Sequence, residues 1–430
     1  MRAARTAALA PVVIPIQGSS RIDPCGKSCY RTNMSASGSS DVTAAIIGGG
    51  PVGLAAAIGL AQNGASTALV ARKVAYADNR TTALLGGSVD FLIQLGVWRH
   101  CEDKAAALQV MRLIDDTGRL VRAPEVRLSA EEIGEEAFGY NIKNRVLVEA
   151  LEARAAELPN LIRYDDDARA IHDDGASVIV ETASGTQFGA AIIGGADGRN
   201  SLTRQSAGIT LRTRTLNQAA VTFNTAHTRP HRNISTEFHT PHGPRVFVPL
   251  PGDHSSVVWV TTPDEAATLK SLSDEELGLR AERQAHSILG KMRAEGERHV
   301  FPLTMQSPSQ LTAGRVALLG EAAHVFPPIG AQGLNLGLRD AADFVRIVSS
   351  AYEVEGDAGS NQVMAQYAQA RRADIFSRSA VIDFANRSLL SDFLPTQALR
   401  AAGLHLLNIA NPVRRFAMRE GLAPWWRRQA

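Results

Sequence analysis

Between Asp41 and Arg72 the chain reads DVTAAIIGGGPVGLAAAIGLAQNGASTALVAR, and no other stretch limits the fold as much. Val42 to Ile47 is the apolar run of a buried strand, Leu54 to Gln62 an Ala-rich helix, and Ser66 to Val70 the next strand. The first turn carries Gly48, Gly50, Pro51, Val52 and Gly53 in a G-x-G-x-x-G frame. In such a frame the first glycine makes the bend, the second lets backbone approach a pyrophosphate, and the third lets helix and strand pack closely. Alone the pattern is weak; following a strand and opening a helix, it predicts a βαβ unit that binds a dinucleotide. One part of that unit is missing. About 20 residues beyond the motif a Rossmann unit places an acid for the ribose hydroxyls, and here stands Ala71, followed by Arg72 and Lys73. Either backbone and a basic side chain hold the ribose, or the nucleotide site has decayed. Asp78 and Arg80, in the loop ADNRTTAL, are candidates to approach the ligand; a solvated polar loop is the alternative.

A second stretch, RVALLGEAAHVFPPIGAQGLNLGLRDA over residues 315 to 341, points to the same ligand class. Val316 to Leu319 predicts a strand ending at Gly320 and Glu321, and Pro327 and Pro328 stiffen the loop that follows. Proline is poorly tolerated inside a helix, so the long helix begins after Pro328, near Gly330, Gln332 and Gly333. Its unpaired N–H groups and positive dipole end suit a flavin, whose reduced ring carries negative charge at one edge. An ordinary strand, loop and helix crossover is the competing reading.

Length and composition narrow the classes. The 430 residues, 45% apolar, suffice for two intertwined domains with sizeable cores. A net charge of +2 gives no ground for a nucleic-acid partner. Cys25, Cys29 and Cys101 form neither a disulfide framework nor a metal-ligand pattern, which favours a reducing compartment. No apolar run reaches the roughly 18 residues of a membrane span. Residues 1–40 hold Arg2, Arg5, Arg21, Lys27 and Arg31 against Asp23. They read as a disordered or non-native extension with Met34 as the native start, or as a targeting presequence, and are excluded from the fold.

The remaining chain divides by pattern. Ser88 to Trp98 predicts an amphipathic helix, Met111 to Ala123 a hairpin turning at Asp-Asp-Thr-Gly, and Asn141 to Leu158 a helix. Strands are expected at Ser177 to Thr182 and Phe188 to Gly194, followed by the Asp197-Gly198 turn and an N-cap Ser201. Residues 216–262 predict a mostly antiparallel sheet, 264–296 charged helices, and everything after the Gly330 helix is helical. His227, His231, His239, His242 and His254 are expected as surface and strand-end residues rather than metal ligands.

The segments GGGPVGL, ADNRTTAL, GADGRNSLTR and GEAAHVFPPIGAQGLNLGLRDA, in this order and spacing, resemble the FAD-dependent aromatic hydroxylases of ubiquinone biosynthesis. These belong to the larger para-hydroxybenzoate hydroxylase-like group of flavin monooxygenases. The likeness spans about Asp41 to Leu407 and is most specific at PPIGAQGLNLGLRDA. It implies an α/β fold: a Rossmann-like FAD-binding domain interleaved with a mostly antiparallel β-sheet substrate domain, and a helical C-terminus. It also implies that Gly48, Gly50 and Gly53, with Pro51 and Val52, meet the FAD pyrophosphate. Arg72, Arg80, Arg145, Asp197 and Gly198 are then expected at the cofactor, with Gly320 and Glu321 toward the ribityl chain. Pro328, Gly330, Gln332, Gly333, Leu334 and Asn335 are expected to cradle the ring. Family members usually have an acid at the position of Ala71 and Asp at that of Glu321. Glu can still accept a ribityl hydroxyl, whereas Ala cannot replace a ribose acceptor.

On this resemblance FAD-binding segments fall at 41–110, 141–215 and 306–350, substrate-domain segments at 111–140 and 216–305, and C-terminal helices at 351–430. The implied reaction hydroxylates the ring of a polyprenylated phenol with O2, via a flavin C4a-hydroperoxide, so no protein catalytic triad or metal is required. A single dinucleotide motif implies reduction by transiently bound NAD(P)H or by a protein donor. Three other readings compete: a flavin monooxygenase on a soluble aromatic with a charged clamp such as Arg245, an NAD-dependent dehydrogenase, and a flavin-poor scaffold of a ubiquinone biosynthetic complex. Pro412 to Ala430 joins Arg414, Arg415, Arg419, Arg427 and Arg428 to Phe416, Trp425 and Trp426. That composition suits peripheral contact with a membrane or a biosynthetic partner, a solvated helix end being the alternative. The expected location is cytoplasmic, at the inner membrane, or the mitochondrial matrix side if residues 1–40 are a presequence.

Overall fold

The computed structural model describes residues 41–73, 80–119, 122–328, 330–354, 356–390 and 394–422. Asp78, Cys25, Cys29, Met34, Trp425, Trp426, Arg427 and Arg428 lie outside them. In chain order, β1 (Val42–Ile47), α1 (Pro51–Gln62) and β2 (Thr67–Val70) form the expected βαβ unit. Then come β3 (Thr81–Leu85), α2 (Gly86–Gln94), β4 (Ala106–Ala107), β5 (Val110–Asp115), β6 (Val126–Ser129), β7 (Gly139–Lys143) and α3 (Asn144–Ala156). β8 (Leu161–Tyr164), β9 (Ala168–Asp173), β10 (Val178–Thr182), β11 (Gln187–Gly195) and α4 (Leu202–Ser206) return the chain to the first sheet. β12 (Leu211–His227), β13 (Ile234–Thr240), β14 (Gly243–Leu250), β15 (His254–Thr261), α5 (Pro263–Ser271), α6 (Asp274–Gln284) and β16 (Met292–Pro308) build the second. β17 (Thr312–Ala313), β18 (Val316–Leu318), α7 (Gln332–Glu353), α8 (Asn361–Leu390), α9 (Leu394–Ile409) and α10 (Asn411–Leu422) complete it.

The first sheet runs β17-β18-β11-β1-β2-β8, with β18, β11, β1, β2 and β8 parallel and β9 and β10 added antiparallel. Parallel strands covered on both faces must be apolar throughout, which is why Ala44, Ala45, Ile46 and Ile47 of β1 are all buried. The small residues of α1 let helices approach closely. A side-chain carbon placed on Gly59 would stand 2.7 Å from the Val345 Cγ2 of α7. The second sheet runs β16-β12-β15-β14-β13-β5-β6, antiparallel except where β13 meets β5. Its strands alternate as a two-faced sheet requires. Val221 and Trp259 turn toward α5 and α6, while Thr222 and Val258 turn toward a cavity.

Long-range pairing overrules local pattern in several places. β5 pairs with β6, which lies beyond the expected Met111 to Ala123 hairpin, of which Leu120 and Val121 lie outside the described residues. The Asp115 carboxylate accepts from Thr117 and from the Ala123 N–H, and Pro124 has no N–H for a ladder, so the turn is wider than Asp-Asp-Thr-Gly suggests. Asn141, expected in a helix, lies in β7, which pairs with β3. Met292 to Gly296, also expected helical, open β16, which pairs along β12. The Ser88 to Trp98 helix stops at Gln94, and Gly96 takes a positive φ of 72° before Trp98. His227 ends β12, as expected of a strand-end histidine, and is buried against Ser255.

Candidate functional site

The C-terminal ends of β1, β11 and β18 meet at one edge of the parallel sheet, where open α/β sheets bind ligands. Gly48 turns there with φ +112°, and a side-chain carbon on it would be 2.3 Å from the Ala196 carbonyl oxygen. On Gly53 it would be 2.0 Å from the Gly48 oxygen, whereas on Gly50 it would meet nothing within 4 Å. Two of the three glycines are therefore demanded by packing, and the middle one faces open space. Gly50 is also the N-cap of α1 and offers no side-chain cap, so first-turn N–H groups stay available to an anion. This is the cradle a pyrophosphate needs, and the residues present fit FAD.

Val52 ties this turn to the second motif. A side-chain carbon on Gly320 would come within 3.2 Å of the Val52 Cγ2, and one on Gly337 within 2.7 Å. Beyond Gly320 the loop reaches α7 through Ala331, which caps the helix with a left-handed φ of 54° and no side-chain cap. Beneath the loop lies a buried ionic network. The Asp340 Oδ2 accepts from the Gly320 N–H at 2.9 Å and faces the His324 Nε2 at 2.7 Å. Arg371 donates through Nε to the Asp340 Oδ1 at 2.6 Å and through Nη1 to Asp343 and Asp374 at 3.0 and 2.9 Å. Burial alone would raise the Asp340 carboxyl, but Arg371, His324 and the Gly320 N–H outweigh it and hold it below its ordinary value. Tyr367 completes the support by donating to the Leu318 carbonyl at 2.7 Å.

A cavity of about 820 Å³ joins this loop to the second sheet. Pro327, Pro328, Gly330, Gln332, Gly333 and Leu334 form one wall. Val246, Val248, Phe301 and Leu303 form the sheet wall, and Met418 and Leu422 of α10 close a third side. Charged groups at the wall are engaged: Arg112 grips Glu125 at 2.8 and 2.9 Å, Arg199 grips Glu321 at 3.1 Å twice, and Arg80 lies 5.4 Å over the Phe301 ring.

Sequence-expected residues separate into groups. Gly48, Gly53, Val52 and Gly320 pack together at the sheet edge, with Gly50 and Pro51 in the same turn, while Pro328, Gly330, Gln332, Gly333 and Leu334 line the cavity with Arg80 and Glu321. Asn335 is buried as a clamp: its Oδ1 accepts from the Leu85 N–H at 2.8 Å and its Nδ2 donates to the Ala83 and Ala331 carbonyls at 2.8 and 2.6 Å. Asp197 accepts from Ser201 and Thr203 and so fixes the start of α4, next to Gly198. Arg145 stands on the exposed side of α3 beside Glu149 at 3.7 Å and does not line the cavity. Arg245 is no carboxylate clamp: it turns to the opposite sheet face and stacks on Trp259 at 4.5 Å. Sequence reasoning gave no role to Arg371, His324, Arg199 or the cavity-lining Met418 and Leu422 of α10; Arg199 lies 122 residues from its partner Glu321 and Arg371 31 residues from Asp340. Only Asp340 carried a signal, as the acid closing the Gly330 motif. Among the described residues no three His, Cys, Asp or Glu side chains are grouped to hold a metal.

Comparison with known proteins agrees with this geometry. The model of the FAD binding domain family matches residues 41–380. The chain is 30% identical over 384 residues to ubiquinone hydroxylase UbiL of Rhodospirillum rubrum, covering 88% of each. It is 29% identical to the 3-demethoxyubiquinol 3-hydroxylase of Escherichia coli, over 88% of this chain and 97% of the relative. The solved structure of p-nitrophenol 4-monooxygenase PnpA from Pseudomonas putida superposes with a TM-score of 0.73 at 20% identity, covering 88% of this chain and 98% of the other; it supports the fold alone. Because the match runs through every strand that builds the crevice, the chain belongs to the FAD-dependent hydroxylase family of ubiquinone biosynthesis and is an FAD-dependent aromatic-ring monooxygenase.

Proposed function

We propose that the protein hydroxylates the aromatic ring of a polyprenylated phenol in ubiquinone synthesis. The observation that carries this reading is the cavity: large, walled by Leu108, Met111, Leu113, Phe138, Met418 and Leu422, and continuous with the Gly330 loop. Such a lining buries an isoprenoid tail at about 0.8 kcal/mol per CH₂ removed from water. A soluble aromatic acid would need a fixed cation. Arg112 and Arg199 are instead committed to Glu125 and Glu321, and Arg245 faces away.

FAD bound in the crevice supplies oxygen activation when reduced, with NAD(P)H or a protein donor as the source of electrons. The chain does the rest. Gly48 to Gly53 bind the pyrophosphate on the uncapped end of α1. Pro328, Gly330, Gln332, Gly333 and Leu334 hold the ring edge near the positive end of α7. Phe301, Leu303 and Val248, which line the facing wall, would face the phenol ring and keep water from it.

A membrane-dissolved substrate calls for contact with a bilayer. No described helix is long and apolar enough to cross one. Leu406, Ile409, Val413 and Phe416 of α9 and α10 are exposed beside Arg415 and Arg419, which supports peripheral attachment to an anionic surface. The test is turnover of a short-tailed prenylphenol with NAD(P)H and O2. One hydroxyl added per O2 consumed, with no turnover of hydroxybenzoate, is the expected result. Hydroxybenzoate as the better substrate would sink the reading. Ile409→Glu with Phe416→Glu should lower binding to anionic liposomes without lowering flavin content.

A further inference from the structure

At position 71 the chain has only a methyl group where an acid would meet the adenosine ribose, yet that place is not empty of polar chemistry. A side-chain carbon on Gly49 would stand 2.8 Å from the Ala71 Cβ and 3.8 Å from the Arg163 Nη2, so a guanidinium borders the glycine turn. Arg163 comes from β8, which pairs with β2 and sets Arg163 opposite Leu69. Its Nη2 donates to the Ala71 carbonyl at 3.2 Å. Its Nη1 donates to both oxygens of Glu152, on α3, at 2.7 and 2.6 Å. The two side chains are 19% and 18% exposed, far more enclosed than a surface pair.

We propose that Arg163 and Glu152 together hold the adenosine ribose of FAD in place of the acid absent at position 71. The chemistry is complementary to a diol. Guanidinium N–H groups donate to hydroxyl oxygens, the carboxylate keeps lone pairs that accept hydroxyl protons, and the planar fork fixes both at once. This arrangement also accounts for Ala71. An acid there would lie beside Arg163 and compete with Glu152 for it. Arg72, the basic neighbour in sequence, does not take the role: it pairs with Asp167 at 2.7 Å, both more than half exposed. The inference rests on FAD as cofactor and is independent of which phenol is hydroxylated.

The experiment is a binding cycle on flavin-stripped full-length protein, read by quenching of flavin fluorescence. FAD is compared with an analogue whose adenosine ribose is 2′,3′-dideoxy. The unaltered protein should bind the analogue at least tenfold more weakly than FAD. In Arg163→Met and in Glu152→Ala this preference should fall to within twofold, and Ala71→Glu added to Arg163→Met should restore it. Equal affinity of the unaltered protein for FAD and the analogue overturns the proposal without any variant having to fold. So does a tenfold preference that survives in either folded variant.

Discussion

At the end of the crevice proposed for the flavin ring, Gly320 and His324 bond to Asp340, which Arg371 and Asp374 back in a network that water does not reach. At the adenosine end, Arg72 and Asp167 face each other largely in water, and Arg163 and Glu152 are only partly enclosed. Ring geometry decides whether oxygen reaches the substrate, so that end requires preorganisation over a rigid base. The adenosine end only has to hold. On the proposal above, Arg163 and Glu152 supply donors and acceptors there without an acid at position 71.

The largest expected effect separates binding from folding within one motif. Gly50→Val should leave the apo fold and its melting temperature nearly unchanged, since a Cβ there meets nothing within 4 Å, yet purify without flavin absorbance. Gly53→Val should instead fail to fold, because its side chain would collide with the Gly48 carbonyl. A folded, colourless Gly53→Val would show that the turn adapts.

Next comes the buried base of the ring end. Asp340→Asn leaves Arg371 and His324 without their shared partner and should cost about 3–5 kcal/mol, as breaking one side of a buried ion pair does. Urea unfolding is the measurement. Because the folded Asp340 carboxyl lies below its unfolded value, its contribution is complete above roughly pH 4 and fades only as pH falls through the lowered folded value. The variant should lose this acid-dependent step; unchanged acid unfolding would remove Asp340 from the account.

Smaller effects are expected at the cavity mouth. Arg414 of α10 binds both Glu132 oxygens at 2.5 and 2.6 Å, and this hydrogen bonding is the main reason the Glu132 carboxyl sits low. Arg414→Ala should cost only about 1 kcal/mol of stability. It should raise KM for a prenylated phenol while leaving FAD affinity nearly unchanged, since α10 lines the cavity with Met418 and Leu422 and contributes nothing to the Gly48 to Gly53 turn. Smallest is Glu321→Ala. Its carboxylate is half exposed and shared with Arg199, so FAD affinity should fall by about 1 kcal/mol, roughly fivefold. A hundredfold loss would make Glu321 a principal ligand.

Much of the dinucleotide half was legible because its signals are local. The strand, turn and helix around Gly48 obey periodicities set by neighbouring residues, and Pro327 and Pro328 forbid an earlier start to α7. Asn141 and Met292 misled for the opposite reason: their strand partners, Ala83 and His227, are supplied by distant segments whose pairing outweighs local helical pattern. The long β16 was invisible until β12 was in place beside it.

The amino-acid sequence by itself determined that this chain makes a βαβ nucleotide unit and a second glycine-rich helix start, since backbone sterics and unpaired N–H groups allow little else there. Only the tertiary structure decided what surrounds them. It set Val52 between Gly320 and Gly337, paired Arg371 of α8 with Asp340, turned Arg245 away from the cavity, and brought Arg163 to Ala71. These contacts depend on which strands and helices become neighbours, and that is settled by packing the whole chain rather than by the pattern of any one segment.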